Sequence, residues 1–327
     1  MNPPHTAGAH GSEDLEGGDR SNPSEPPASL PVSTRRLPER EHPLLGSLPA
    51  PPRAVCIICP PSFSPGAIVS AFVTLLAHRD LLYTLTCVRL SIRYKQSALG
   101  WIWAALLPLS TMCIYTLIFS RVARVASEGM PYPLFVFSAL LPWIFFAGAV
   151  SAAINGMVGY SHILTKLYFP REIIPLSYVF AALVDFAVAL VILGGLMAYY
   201  RIALSWNAFY ALPLVVILLV FASAVALFLA SIQIRLRDVG VALPVLLQIG
   251  VFVTPVAYPL QSIPPRLQTL YLLNPVASLI ENFRRVVLHG SAPNVPMLVT
   301  SGTITLGCFI LAYGYFKVRE GTMADII

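Results

Sequence analysis

Apolar residues fall in long blocks, separated by short charged connections. A helix needs about 20 predominantly apolar residues to cross a bilayer. Ser97–Ser120 carries no charge, Gly129–Met157 follows, and Ile173–Tyr200 is broken only by Asp185. Ile202–Ile234 is again uncharged, and Val239–Pro259 and Val295–Phe316 complete the series. The pattern predicts an all-α integral membrane protein with six transmembrane helices. Their expected bounds are 99–120, 132–157, 176–200, 208–233, 239–257 and 295–316.

Two further apolar pieces do not read as full spans. In Leu81–Tyr94, the residues Leu81, Leu85, Val88 and Ile92 form one helical stripe, with Arg89 and Arg93 one turn apart and off it. Val88–Lys95 also alternates like a strand. A helix is preferred, because an open strand edge at a bilayer leaves backbone groups unpaired. This predicts an N-terminal amphipathic interface helix over 79–96, lying on the membrane surface. The second piece, 258–290, contains Pro259, Pro264, Pro265 and Pro275 ahead of Glu281, Arg284 and Arg285. Each interior proline removes a helix hydrogen bond. Re-entrant helices between the fifth and sixth spans fit this stretch if protein covers the broken backbone; a plain extracytoplasmic loop is the alternative.

Composition agrees with lipid as solvent. The chain is 57% hydrophobic and 11% charged, against about 25% charged in ordinary globular domains. Residues 1–65 differ: 14 prolines and seven acids, with no apolar run near the start, predict a disordered Pro-rich tail and no signal peptide. Cys56 and Cys59 form a lone pair, too few ligands for zinc, so no metal site is expected. No basic tract with interleaved aromatics suggests nucleic-acid binding. With both termini inside, ten Lys and Arg lie at inner helix ends and six at outer ends, the orientation favoured by positive charge.

The chemistry-bearing residues are few. None of the three lysines follows a glycine, so there is no Walker A loop. No paired acids or HExxH motif suggest an embedded enzyme. Asp185 is the intramembrane acid; it either hydrogen-bonds a neighbour inside the bundle or couples transport to an ion. The loop 160–175 reads as a short helix followed by Tyr168-Phe169-Pro170-Arg171-Glu172, where proline turns the chain and leaves the aromatics projecting. Aromatic side chains there would anchor a partner and Lys166 with Arg171 would orient it. Trp101, Trp103, Phe145 and Phe146 are either interfacial anchors or rings lining a conduit.

These motifs, in this order, resemble the membrane (permease) subunit of type-2 ABC exporters of the polysaccharide branch, which export O-antigen, capsule or teichoic acid chains. The matching stretches are Ile92-Arg93-Tyr94-Lys95-Gln96-Ser97-Ala98-Leu99-Gly100-Trp101-Ile102-Trp103 closing at Pro108, then Phe169-Pro170-Arg171-Glu172-Ile173-Ile174-Pro175. Arg237-Asp238-Val239, Thr254-Pro255-Val256, Asn274-Pro275 and Glu281-Asn282-Phe283-Arg284 follow. They cover roughly residues 70–320.

The resemblance implies a homodimer with two ATP-binding cassette subunits in a bacterial cytoplasmic membrane, with ATP and Mg held by the partner and no cofactor in this chain. It implies ATPase contact by Lys166, Tyr168, Phe169, Pro170, Arg171 and Glu172, and a cytosolic gate at Leu99 and Gly100. A re-entrant cap would contain Asn274, Pro275, Glu281 and Arg284. Arg89 and Arg93 are candidates for the lipid-carrier pyrophosphate by position and charge. Trp101, Trp103, Phe145 and Phe146 would line the channel. An exporter of drugs or small lipids, an ion-coupled carrier and a membrane glycosyltransferase are the competing readings.

Overall fold

The helix least exposed to its surroundings organises the rest. In the computed structural model, which describes residues 73–95, 97–125, 127, 129–159 and 169–326, every residue from Leu134 to Trp143 is buried. A helix apolar on all sides belongs inside a bundle. The expected tail 1–65, the Cys56–Cys59 pair, Gln96, Lys166 and Tyr168 lie outside the described residues.

The described elements are helices, with no strand among them. We label them α1 (Arg79–Lys95), α2 (Ile102–Tyr115), α3 (Tyr132–Gly159), α4 (Ile173–Tyr199), α5 (Ala211–Gln233), α6 (Asp238–Val253), α7 (Pro265–Leu273), α8 (Pro275–Val287) and α9 (Val295–Ile326). A π-helical turn, Thr116–Val122, extends α2, and a 3-10 turn, Trp206–Tyr210, leads into α5. Among the described residues, five helical stretches are long and apolar enough to cross a membrane: Ile102–Val122, Tyr132–Gly159, Ile173–Tyr199, Trp206–Gln233 and Val295–Glu320.

The fifth expected span, 239–257, is shorter than the sequence pattern suggests. α6 has 16 residues, about 24 Å at ~1.5 Å per residue, against a hydrocarbon core of about 30 Å. It stops where Pro255 follows Thr254. A residue before proline is pushed to extended backbone, and Thr254 has φ −94° and ψ 139°. The expected 258–290 segment forms two short helices, α7 and α8. Asn274 separates them, its side chain accepting from the Val276 N–H at 3.1 Å, with Pro275 at the first helical position.

Small residues let the spans close on one another. Ala149 and Ala153 of α3, Ala182 and Ala189 of α4, and Ala222 and Ala226 of α5 all belong to the main core. Lipid offers no hydrophobic drive between helices, so close backbone approach and dispersion must hold them. Gly156 is the tightest case. A Cβ there would stand 1.8 Å from the Tyr178 ring, so the crossing of α3 and α4 accepts only hydrogen at this position.

α1 packs along α4, but only the first half of the stripe read from the sequence takes part. Val88 and Ile92 are exposed, whereas Thr86, Arg89 and Tyr94 are buried. The arginine and tyrosine turn inward because α4 offers them partners, described below; Leu81, Leu82 and Leu85 supply the apolar part of the contact.

Gly156→Ala is expected to expel the Tyr178 ring and destabilise the bundle by about 1–3 kcal/mol. Thermal unfolding in detergent checks this. The loss should shrink when Gly156→Ala is combined with Tyr178→Ala, since the clash then has no second party.

Candidate functional site

The polar residues singled out in the sequence gather in three clusters. The first joins α1 to α4. Arg93 donates to the Asp185 carboxylate, and the Tyr94 hydroxyl donates to its other oxygen at 2.5 Å. Four residues earlier, Arg89 lies over the Tyr178 ring with its guanidinium carbon 3.8 Å from the centroid. It also donates to the Tyr178 hydroxyl, and to Ser177 Oγ at 3.4 Å. Helical spacing places Arg89 and Arg93 over one another, so α1 grips α4 at two successive turns. Burial, reinforced by the carboxylate it donates to, pushes the Tyr94 phenol up to about 12.

The turn after α1 completes this cluster. Gly100 has φ +50°, a left-handed conformation that glycine adopts without penalty. Its N–H donates to the Ser97 carbonyl at 3.2 Å, and the Leu99 carbonyl accepts from Ile102 at 3.0 Å. The reversal stacks Trp101 on Tyr94, with centroids 4.4 Å apart. Beside it opens a cavity of about 380 Å³, lined by Arg93, Tyr94, Trp103, Phe145, Asp185 and Phe186 among others. The structure thus brings Arg93, Asp185, Trp103 and Phe145 to one space next to the Leu99-Gly100 turn. Phe146 is not part of it; it packs in the core against Phe221, centroids 5.6 Å apart.

The second cluster joins the start of α4 to the far end of α9. Glu172 is fully buried and holds Lys317 Nζ at 2.7 Å; the Tyr313 hydroxyl donates to the same carboxylate at 3.3 Å. Lys317 also donates to Glu320 at 2.9 Å. Glu320 accepts the Arg171 backbone N–H at 3.2 Å, and its carbonyl accepts the Arg171 guanidinium. Burial first, and then the Glu320 charge, raise the Glu172 carboxyl above its ordinary value, while Lys317 opposes them. Phe169 and Pro170 are half-buried at the edge of this cluster.

The third cluster closes the chain break after α6. Arg284 is fully buried, pairs with Glu281 at 3.1 Å and lies 3.9 Å from the Phe135 ring centroid. It donates to the Pro255 and Val256 carbonyls at 3.1 and 3.3 Å, and Tyr132 donates to the Ala257 carbonyl at 2.7 Å. Three consecutive carbonyls that no helix satisfies are thus capped by side chains, as irregular backbone in an apolar setting requires. Asn282 extends the set, accepting the Asn294 N–H at 2.7 Å.

Sequence reasoning names Asp185, Arg93, Glu281 and Arg284 but does not pair them. Tyr94, Tyr178, Tyr313, Lys317 and Glu320 went unassigned. Lys317 had a signal, being one of only three lysines and placed at the end of a span; the tyrosines had none beyond proximity to a helix end.

These features define a polytopic α-helical membrane protein whose polar clusters join one helix to another. The sequence profile of the ABC-2 type transporter family matches residues 80–288, and the chain belongs to that family. It is similar to the O-antigen export system permease protein RfbA of Myxococcus xanthus, 31% identical over 253 residues, or 76% of this chain and 96% of the relative. Two proteins of the same name from Klebsiella pneumoniae are 30% and 28% identical over 214 and 213 residues, covering 64% and 65% of this chain and 81% and 82% of theirs.

Replacing Asp185 by Ala leaves Arg93 without its carboxylate. The Arg93 side chain is 45% exposed, so solvent discounts the cost to about 1–2 kcal/mol. A double-mutant cycle with Arg93→Gln, read by thermal unfolding, should show the two losses to be less than additive.

Proposed function

We propose that this chain is the channel-forming permease subunit of an ATP-driven exporter that moves a lipid-linked polysaccharide of the O-antigen type across the cytoplasmic membrane. The observation that carries this reading is the match to O-antigen export permeases over 96% of one relative's length, joined to the family profile over 80–288. Energy comes from a separate subunit that holds ATP and Mg. Two copies of this chain associate with two such subunits. The chain crosses the bilayer six times with both termini cytoplasmic, the fifth crossing being made by α6 and the capped stretch after it. α7 and α8 re-enter from the far side.

In this reading α1 is a lever on the cytosolic surface. The ATPase meets the loop 160–175, and the Leu99-Gly100 turn forms part of the gate. Movement of α1 reaches α4 through Arg93, Tyr94 and Asp185. Of the two arginines considered for a pyrophosphate, Arg93 is the better placed: it borders the 380 Å³ cavity and keeps nearly half its side chain exposed. Arg89 is turned into the Tyr178 ring.

A type-2 exporter of drugs or small lipids is the second reading. It is favoured by the apolar character of the same cavity, lined by Leu107, Leu141 and Ile144 behind the polar mouth. Deleting the gene separates the two. The account expects loss of surface polysaccharide with lipid-linked polymer retained inside, and recovery on complementation. Normal surface polysaccharide with raised drug sensitivity would contradict it.

A further inference from the structure

The cluster at the start of α4 has a property that contact with a partner does not require. Glu172, within the stretch assigned to ATPase contact, faces inward and is fully buried. Its carboxylate is spent on Lys317 at 2.7 Å and Tyr313 at 3.3 Å, both on α9. Arg171 is likewise committed to Glu320, through its backbone N–H and its guanidinium. Two cations and two anions therefore balance between the start of α4 and the end of α9. Around them lies an apolar collar that includes Met157, Ile173, Leu176, Leu227 and Phe316.

We infer that Glu172 and Lys317 are positioning residues that lock the start of α4 to the end of α9, so that a push on the preceding loop is delivered into the last helix. The inference rests on the export reading above. Its physical basis is the penalty for separating a buried pair: parting the two helix ends would strand a carboxylate and an ammonium in apolar surroundings. Sliding one past the other would also break the bonds of Tyr313 and Glu320. The low-energy response to displacement is joint movement. α9 in turn packs along α5 and against α8, and α8 carries Arg284, which caps the break after α6. A displacement at one end of the bundle thus has a packed route to the elements at the other.

The proposal makes Lys317 necessary for coupling through its pair with Glu172. The test uses the full chain assembled with its ATPase in membranes. Lys317→Met and Lys317→Glu are expected to assemble and hydrolyse ATP near the wild-type rate while polysaccharide exported per ATP falls about tenfold. The exchange Glu172→Lys with Lys317→Glu, which restores opposite charges, should recover most of that loss. Unchanged export per ATP in the single variants, or an exchange variant no better than Lys317→Glu, would overturn the inference. A second readout needs neither variant: nitroxides at Phe180 and Val318 should keep one separation with and without nucleotide, and a changed separation overturns the proposal. If deletion of the gene leaves surface polysaccharide intact, the export reading itself falls; if deletion abolishes it but Lys317→Met does not, only this inference falls.

Discussion

An ionised carboxylate inside a bilayer is costly unless a protein surrounds it with donors. Asp185 sits in the first half of α4 and meets that requirement with two donors from one neighbouring element, Arg93 and Tyr94 of α1. This arrangement fixes much else. It turns the polar side of α1 toward the bundle and leaves Val88 and Ile92 outward. It also sets the start of the Gly100 turn, and with it the stacking of Trp101 on Tyr94. Gly156 belongs to the same assembly, because the Tyr178 ring that receives Arg89 occupies the space a side chain there would need.

The same solution recurs at the other two clusters. Arg284 satisfies carbonyls that the helix break after α6 exposes, and Glu172 with Lys317 ties the start of α4 to the end of α9. In each case a charged side chain stabilises an irregular place between helices, while small residues hold the regular crossings. Two of the three polar clusters therefore lie at helix ends, and the third ties the middle of α4 to α1. The broad apolar faces between those ends are free to slide against lipid or another protein.

Spans were legible because lipid imposes length and apolarity directly on sequence. Among the described residues five helical stretches are long and apolar enough to cross a membrane, and α9 runs on to Ile326, past the expected end at 316. The end of α6 was misjudged because Val256 and Ala257 continue the apolar run; only the backbone effect of Pro255 on Thr254 ends the helix. The face of α1 was misjudged for a different reason. A hydrophobic stripe assumes that arginines seek water, yet Arg89 finds an aromatic face and a hydroxyl that lie 88 and 89 positions away in sequence. The motif Phe169-Pro170-Arg171-Glu172 reads as a contact for a partner; its bonding to Lys317 and Glu320 within the chain depends on where α9 ends, which no local pattern encodes.

A mid-span acid invites the thought of proton coupling, and the clamp on Asp185 argues for a structural role under an ATP-driven cycle. Reconstituting the chain with its ATPase in vesicles loaded with lipid-linked polysaccharide separates the two most directly. The account predicts translocation on adding ATP, undiminished when an ionophore collapses the proton gradient. Translocation driven by the gradient with no ATP present would contradict it.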